Sequence, residues 1–250
     1  MISLQNKIVF ITGGSRGIGA ACVKLFHQAG AIVVFSFKEN ETAAINLVDT
    51  FESNKPVSVQ LDLSSEDDIV EKVKSVLNKF DRIDILVNNA GIWKFGEADK
   101  MSLTDWNETI QINLTSTFIV TREIIPSMKK NKFGRIINIS STAGQRGEPF
   151  YSHYAASKGG IISYTKSLAA ELGKYNITTN CVAPGWVDTD MVAGVFFDED
   201  YKKEVENIIP VQRIAKPEDI AGPVLFLASD LARHINGEIL NVNGGSILCG

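Results

Sequence analysis

Cysteine and histidine are scarce in this chain, three of each among 250 residues. Cys22, Cys181 and Cys249 are odd in number and far apart, so they frame neither a disulfide scaffold nor a metal knuckle, and buried thiols are the expectation. His27, His153 and His234 are equally scattered. No His, Cys or carboxylate cluster has the spacing of metal ligands, and no catalytic metal is expected. Long hydrophobic runs are missing too. No stretch approaches the roughly 20 apolar residues of a membrane span. The apolar run in MISLQNKIVFITGG is too short for a signal-peptide core and leads into glycines instead of a cleavage site. The expected address is therefore the cytoplasm, with no membrane partner. Neither charge sign is in large excess. With 25 Lys and Arg against 29 Asp and Glu, the net charge is −4, which gives no electrostatic ground for binding nucleic acid. Linkers, repeats and low-complexity tracts are also absent, so residues 1–250 read as a single domain.

What is present is an alternation of short β-branched runs with longer segments of helical period, the pattern of a parallel sheet wound with helices. KIVFIT, AIVVFSF, VSVQLD, DILVNNAG, GRIINIS, ITTNCVAPG and GEILNVNGG read as seven strands. Between them, helices are expected over ETAAINLVDTF, over SEDDIVEKVKSVLNKF with Ser65 and Asp68 as a capping box, and from Ser102–Asp105 to about Lys130. Further helices are expected over Tyr154 to Lys174, about Asp198 to Ile209, and from Pro217 onward. The fold class is α/β, with a doubly wound seven-stranded parallel sheet. In such sheets ligands gather at the carboxyl ends of the strands, so the loops after strands one, four, five and six are where chemistry belongs.

The first of those loops is TGGSRGIG, Thr12 to Gly19. Gly13, Gly17 and Gly19 free the backbone to turn and to approach a pyrophosphate, while the following helix offers unpaired N–H groups. The literal G-x-G-x-x-G pattern is absent, and no GK[ST] follows, which disfavours a P-loop nucleotidase. YAASKGG places Tyr154 and Lys158 at i and i+4, on one face of a helix. Spacing alone leaves this as an ordinary surface pair or as a phenol tuned for proton transfer.

Taken together, T-G-x-x-x-G-x-G at Thr12 to Gly19, NNAG at Asn88 to Gly91, Ser141, Y-x-x-x-K at Tyr154 to Lys158, and Pro184–Gly185 resemble the short-chain dehydrogenase/reductase family, in its order and along the whole chain. The resemblance implies a Rossmann-type fold and hydride transfer between a nicotinamide and a carbonyl or secondary alcohol. Tyr154 would be the general acid or base, with its pKa brought down from about 10 toward neutrality by Lys158 and by oxidised nicotinamide. Ser141 would hold the substrate oxygen, its neighbour Ser140 facing the other way. Asn113 would support a water relay to the lysine, or else simply bond a neighbouring backbone.

On the cofactor side the same resemblance implies Gly13, Ser15, Arg16, Gly17, Ile18 and Gly19 in the glycine loop, and Ser36 and Lys38 at the end of strand two. It adds Asp62 and Leu63 at the adenine, with a helix cap as the other role for Asp62, then Asn89, Ala90 and Gly91, and Tyr154 and Lys158 at the nicotinamide ribose. Pro184, Gly185, Val187 and Thr189 complete the set, with a turn as the other role for Thr189. Phe37 stands where NAD-selective members carry an Asp, and Lys38 with Arg16 could hold a 2′-phosphate. NADP(H) is expected, and Glu39 keeps NAD(H) open. Trp93, Gln145, Trp186, Met191, Phe196 and Phe197 are expected to rim the substrate pocket, within or near a substrate loop at about 186–212. The pattern is nearest to 3-oxoacyl-acyl-carrier-protein reductases. Lys129, Lys130 and Lys132 form a basic patch for a carrier protein or a solvated helix end, and Tyr175 departs from the basic residue such reductases carry. A sugar or secondary-alcohol dehydrogenase is the alternative, a non-catalytic dinucleotide sensor the more distant one, and a homotetramer the expected assembly.

Overall fold

The computed structural model describes residues 2–248; Cys249 lies outside them. Seven parallel strands form one sheet: β1 (Ile8–Ile11), β2 (Ile32–Phe37), β3 (Val57–Gln60), β4 (Ile85–Asn88), β5 (Gly134–Ile139), β6 (Ile177–Pro184) and β7 (Ile239–Val242). Their order is β3-β2-β1-β4-β5-β6-β7. The helices are α1 (Gly17–Gln28), α2 (Glu41–Asp49), α3 (Glu66–Phe80), α4 (Leu103–Ile110), α5 (Ser116–Asn131), α6 (Ala143–Arg146), α7 (Ser152–Leu172), α8 (Glu199–Ile208) and α9 (Pro217–Ala228).

Strands β1, β4, β5 and β6 are buried on both faces, the edge strands β3 and β7 only in part, and the two-residue alternation of side chains sorts the sheet into two cores. Val9, Ile11, Val33 and Phe35 pack with α1, α2 and α9, whereas Phe10, Val34, Leu86 and Ile136 pack with α3, α5 and α7. Sheet order reverses at β1, which pairs with β2 on one side and β4 on the other. A crevice therefore opens at the carboxyl ends of these strands. A buried polar chain stiffens its floor. Asn88 donates to Thr121 and to Asn138 Oδ1 (2.9 Å), and Asn138 donates to Thr165 of α7 (2.9 Å).

Three local features differ from the sequence expectation. The helix expected from Ser102 to about Lys130 is interrupted by a π-helical turn, Gln111–Thr115, in which the Ser116 amide reaches back to the Gln111 carbonyl. Pro126 nevertheless sits inside α5. The four-residue α6 is too short to show a period, and α7 begins at Ser152, two residues before Tyr154. The capping expectation at Ser65 holds, since its hydroxyl accepts the Asp68 amide, but the Asp68 carboxylate reaches back to the Asp62 amide at 2.7 Å.

Candidate active site

A cavity of about 980 Å³ lies across the carboxyl ends of the strands. Of the catalytic and cofactor residues singled out from the sequence, all line it except Gly19 and Asn113. The glycine loop is fastened to the end of β4. Asn89 donates to the Thr12 and Gly13 carbonyls, both at 3.0 Å, and the Thr12 hydroxyl accepts the Asn89 and Ala90 amides. Gly13 has φ +66°, and a Cβ there would meet Ala90 at 3.0 Å; one on Gly19 would lie 2.1 Å from the Gly13 carbonyl oxygen. No side chain caps α1 at Arg16, so its first-turn N–H groups remain available to an anion. The loop therefore fits the pyrophosphate of a dinucleotide.

At the far end of β2, the Ser36 hydroxyl accepts the Gly13 amide. Lys38 and Arg16 both border the cavity. Lys38 lies 3.4 Å from Asp62 and 3.9 Å from Glu39, while Arg16 lies 3.8 Å from Asp190. These pairs are exposed and long, hence weak. Asp62 lines the cavity and accepts the Ser64 amide and hydroxyl in a turn ahead of α3, whose cap is Ser65 and not Asp62. Those bonds, the Ser64 amide first, hold its carboxyl below the usual range.

The reactive groups come from the end of β5 and the first turns of α7. Lys158 is buried, and its Nζ donates to the Ile139 carbonyl at 2.9 Å and stands 5.7 Å from the centre of the Tyr154 ring. Burial brings this amine down to about 8. The Ser140 hydroxyl donates to the Lys158 carbonyl, whereas the Ser141 hydroxyl accepts the Ala143 amide at 3.1 Å and stands beside the Tyr154 phenol. The depressed pKa expected of the phenol counted on oxidised nicotinamide as well as Lys158, and in the chain alone the shift runs upward. Burial pushes the phenol up to about 12, and the Ser141 hydroxyl only opposes that rise. Lowering it therefore falls to charge brought by a ligand, not to the chain alone.

Asn113 sits in the π-helical turn, buried. Its amide bonds the Ile92 backbone in both directions, at 2.8 and 2.9 Å, and donates to Ser157 at 3.1 Å. The two bonds to Ile92 hold the loop after β4 beside the lysine, where a Cβ on Gly91 would lie 3.2 Å from Asn113 Oδ1 and 3.4 Å from Lys158 Nζ. The backbone-bonding role foreseen for Asn113 is thus present.

On the substrate side, Trp93, Trp186 and Met191 line the cavity as expected. Gln145 does not, because its amide donates to Asn241 of β7 at 2.7 Å. Phe196 is buried in a small core with Val192, Val205, Ile209 and Ile214 under α8, and Phe197 points into solvent. Ile208 and Ile247, which no motif flagged, border the cavity instead.

The family profile described as Enoyl-(Acyl carrier protein) reductase matches residues 13–246. This chain belongs to the short-chain dehydrogenase/reductase family. It is 41% identical over 247 residues to a 3-oxoacyl-[acyl-carrier-protein] reductase of Aquifex aeolicus, covering 98% of each chain, and 38% identical over 251 residues to the Synechocystis protein of the same description, covering 99% and 100%. The crystal structure titled gox2181 superposes with a TM-score of 0.93 at 31% identity, over 98% of this chain and 96% of that one. As a short-chain dehydrogenase/reductase, the protein is an oxidoreductase of the nicotinamide-dependent class. Among the described residues, no helix is long and apolar enough to cross a membrane, and no group of three or more His, Cys, Asp or Glu is placed to hold a metal ion.

The lysine's burial carries a stability cost with a defined pH window. Below about 8 both the folded and unfolded chains hold its proton, and the penalty is fully present; between 8 and the ordinary value of 10.5 the folded chain releases the proton first and the penalty fades. Lys158→Met, which keeps the unbranched stem but removes the charge, is expected to stabilise the protein at pH 7 by about 1–2 kcal/mol. Thermal unfolding would show a melting point higher by roughly 2–8 °C at pH 7, shrinking toward zero by pH 10. A variant that melts at or below the wild type at pH 7 would contradict this account.

Proposed function

We propose that the protein is an NADP(H)-dependent reductase of 3-oxoacyl thioesters, with Ser141, Tyr154 and Lys158 as its catalytic residues and Asn113 positioning the loop beside them. The observation that carries this reading is the convergence of two hydroxyls, Ser141 and Tyr154, on one wall of the cavity with a buried amine behind them. Two donors so arranged suit one carbonyl oxygen, which favours a ketone over a carbon–carbon double bond. When bound, the nicotinamide supplies the hydride and, once oxidised, a positive charge next to the phenol. Ser141 orients the substrate oxygen and stabilises the charge that gathers on it. Tyr154 passes its proton to that oxygen, because an alkoxide is far more basic than a phenolate. Lys158, with its amine near 8, carries a proton for much of the time at neutral pH and in that form favours the phenolate left behind.

Preference for the phosphorylated dinucleotide rests on Phe37, which provides no carboxylate at the end of β2, and on Lys38 and Arg16 at the cavity edge, each held only by a weak exposed pair. The remaining cofactor contacts are those named from the sequence, from Ser15 and Ile18 in the glycine loop to Leu63, Pro184, Gly185, Val187 and Thr189. The relatives' names support an acyl-carrier-protein thioester as substrate. Lys129, Lys130 and Lys132 at the end of α5 offer cations to such an acidic carrier, although Lys129 also lies 4.9 Å from the Tyr175 ring and 3.8 Å from Glu171. Exposed Leu103, Trp106 and Phe118 on α4 and α5 support assembly of copies through these helices into a homotetramer.

Oxidation of NADPH with an acetoacetyl thioester should fall at least about a thousandfold in Tyr154→Phe, with the cofactor still bound. Equal rates in both proteins would instead favour a non-catalytic dinucleotide sensor. Lys38→Ala should weaken NADPH binding by about tenfold while leaving NADH unchanged, as titration of the cofactor's fluorescence would report; an equal loss for both dinucleotides would overturn the phosphate role.

A further inference from the structure

Two indole rings stand at right angles on the substrate side of the cavity. Trp93 and Trp186 have ring centres 6.0 Å apart and planes at 89°. Each is braced from behind. Trp93 is stacked on Tyr151 at 4.2 Å with planes 7° apart, and Trp186 leans on Phe196 at 5.4 Å. Tyr151 is in turn met edge-on by Phe95 at 6.0 Å. Bracing of this kind fixes the rings before any ligand arrives, so little side-chain freedom is lost on binding. Both tryptophans line the same cavity as the reacting groups: Trp93 follows Ile92, which Asn113 holds, and Trp186 follows Pro184–Gly185 at the end of β6.

Several of the longer polar side chains on this side are already engaged with one another. Glu108 is bonded to Lys94 at 2.6 Å, Arg146 is paired with Glu148, and Gln145 is turned to Asn241. Met191 and Ile208, by contrast, carry apolar surface to the same cavity while remaining 47% and 69% exposed. Exposed apolar side chains lining a cavity next to a rigid aromatic corner gain most from an apolar ligand that covers them.

We infer that Trp93 and Trp186 form a subsite for an apolar substituent on the ketone, so that the substrate carries an alkyl or aryl group reaching beyond the four carbons of an acetoacetyl unit. This rests on the carbonyl-reductase reading above and narrows it, setting sugars and short hydrophilic ketones aside. Tight packing on the corner raises binding alike in the ground and transition states, so the subsite acts mainly on KM.

The test is a series of 3-oxoacyl thioesters of one thiol, with 4, 8 and 12 carbons and one phenyl-terminated member, reduced with NADPH by the full-length protein. Wild type is expected to show kcat/KM at least about tenfold higher for the eight-carbon than for the four-carbon member, chiefly through KM. The phenyl arm separates an aromatic from an alkyl preference. Trp93→Ala and Trp186→Ala should each lower the eight-carbon value by about tenfold and bring the length ratio toward unity, while Trp93→Phe should retain most of it. NADPH binding by each variant reports that its fold persists, and the wild-type length series decides the matter even if one alanine variant does not fold. Turnover by wild type without length dependence, or variants that slow every substrate by one factor, would overturn the subsite alone. No turnover with any member would overturn the reductase reading and the subsite with it.

Discussion

The amine of Lys158 is held out of water with one carbonyl, that of Ile139, as its hydrogen-bond partner at 2.9 Å. The end of β5 and the helix α7 set that placement. Strand β5 ends at Ile139, α7 brings the lysine alongside it, and the Ser140 hydroxyl ties the lysine's own carbonyl back to the strand end. Burial lowers the amine to about 8 and raises the neighbouring phenol to about 12, so desolvation drives both groups toward neutrality. A ligand-free chain built this way is poised as an acid with a reluctant proton. Positive charge arriving beside it is what makes proton transfer easy, which couples the chemistry to occupancy of the dinucleotide cleft.

That coupling depends on a second constraint, the joint between β1 and β4. Asn89 donates to Thr12 through both its backbone amide and its side chain across the point where strand order reverses, and the close approaches of Gly13 and Gly19 leave no space for a side chain. The loop after β4 then runs to Gly91 and Ile92, where Asn113 fixes it against the lysine. One connected set of backbone contacts thus joins the surface suited to pyrophosphate with the surface suited to proton transfer. The π-helical turn takes part in this because it contains Asn113, whose side chain bonds Ile92.

The sheet was readable because its strands are continuous β-branched runs and its helices keep a regular apolar period; all seven strands lie where those runs fall. The cavity residues were readable because glycines, a Y-x-x-x-K spacing and a Pro-Gly turn carry local signatures in the chain. The π-helical turn left no such trace, since an i+5 hydrogen bond changes no residue type and only shifts phase within one continuous periodic segment. The direction of the phenol's shift was equally hidden. Sequence places a lysine near Tyr154 but not the depth of either group, and depth decides the sign here. Gln145, Phe196 and Phe197 were misjudged for a related reason, as loop position does not fix side-chain direction: one turned to β7, one into a small core and one to solvent.

The central claim is that the chain alone holds the Tyr154 phenol above its ordinary value and that the oxidised cofactor brings it down. Ring-carbon NMR titration of labelled tyrosine, with Tyr154→Phe used to assign the resonance, measures this directly in the free protein and with NADP⁺ bound. The account predicts a phenol still protonated above pH 10 when free, and a clear fall in its pKa on binding. A phenol already ionising near neutrality in the free protein, or one that binding leaves unmoved, would contradict it.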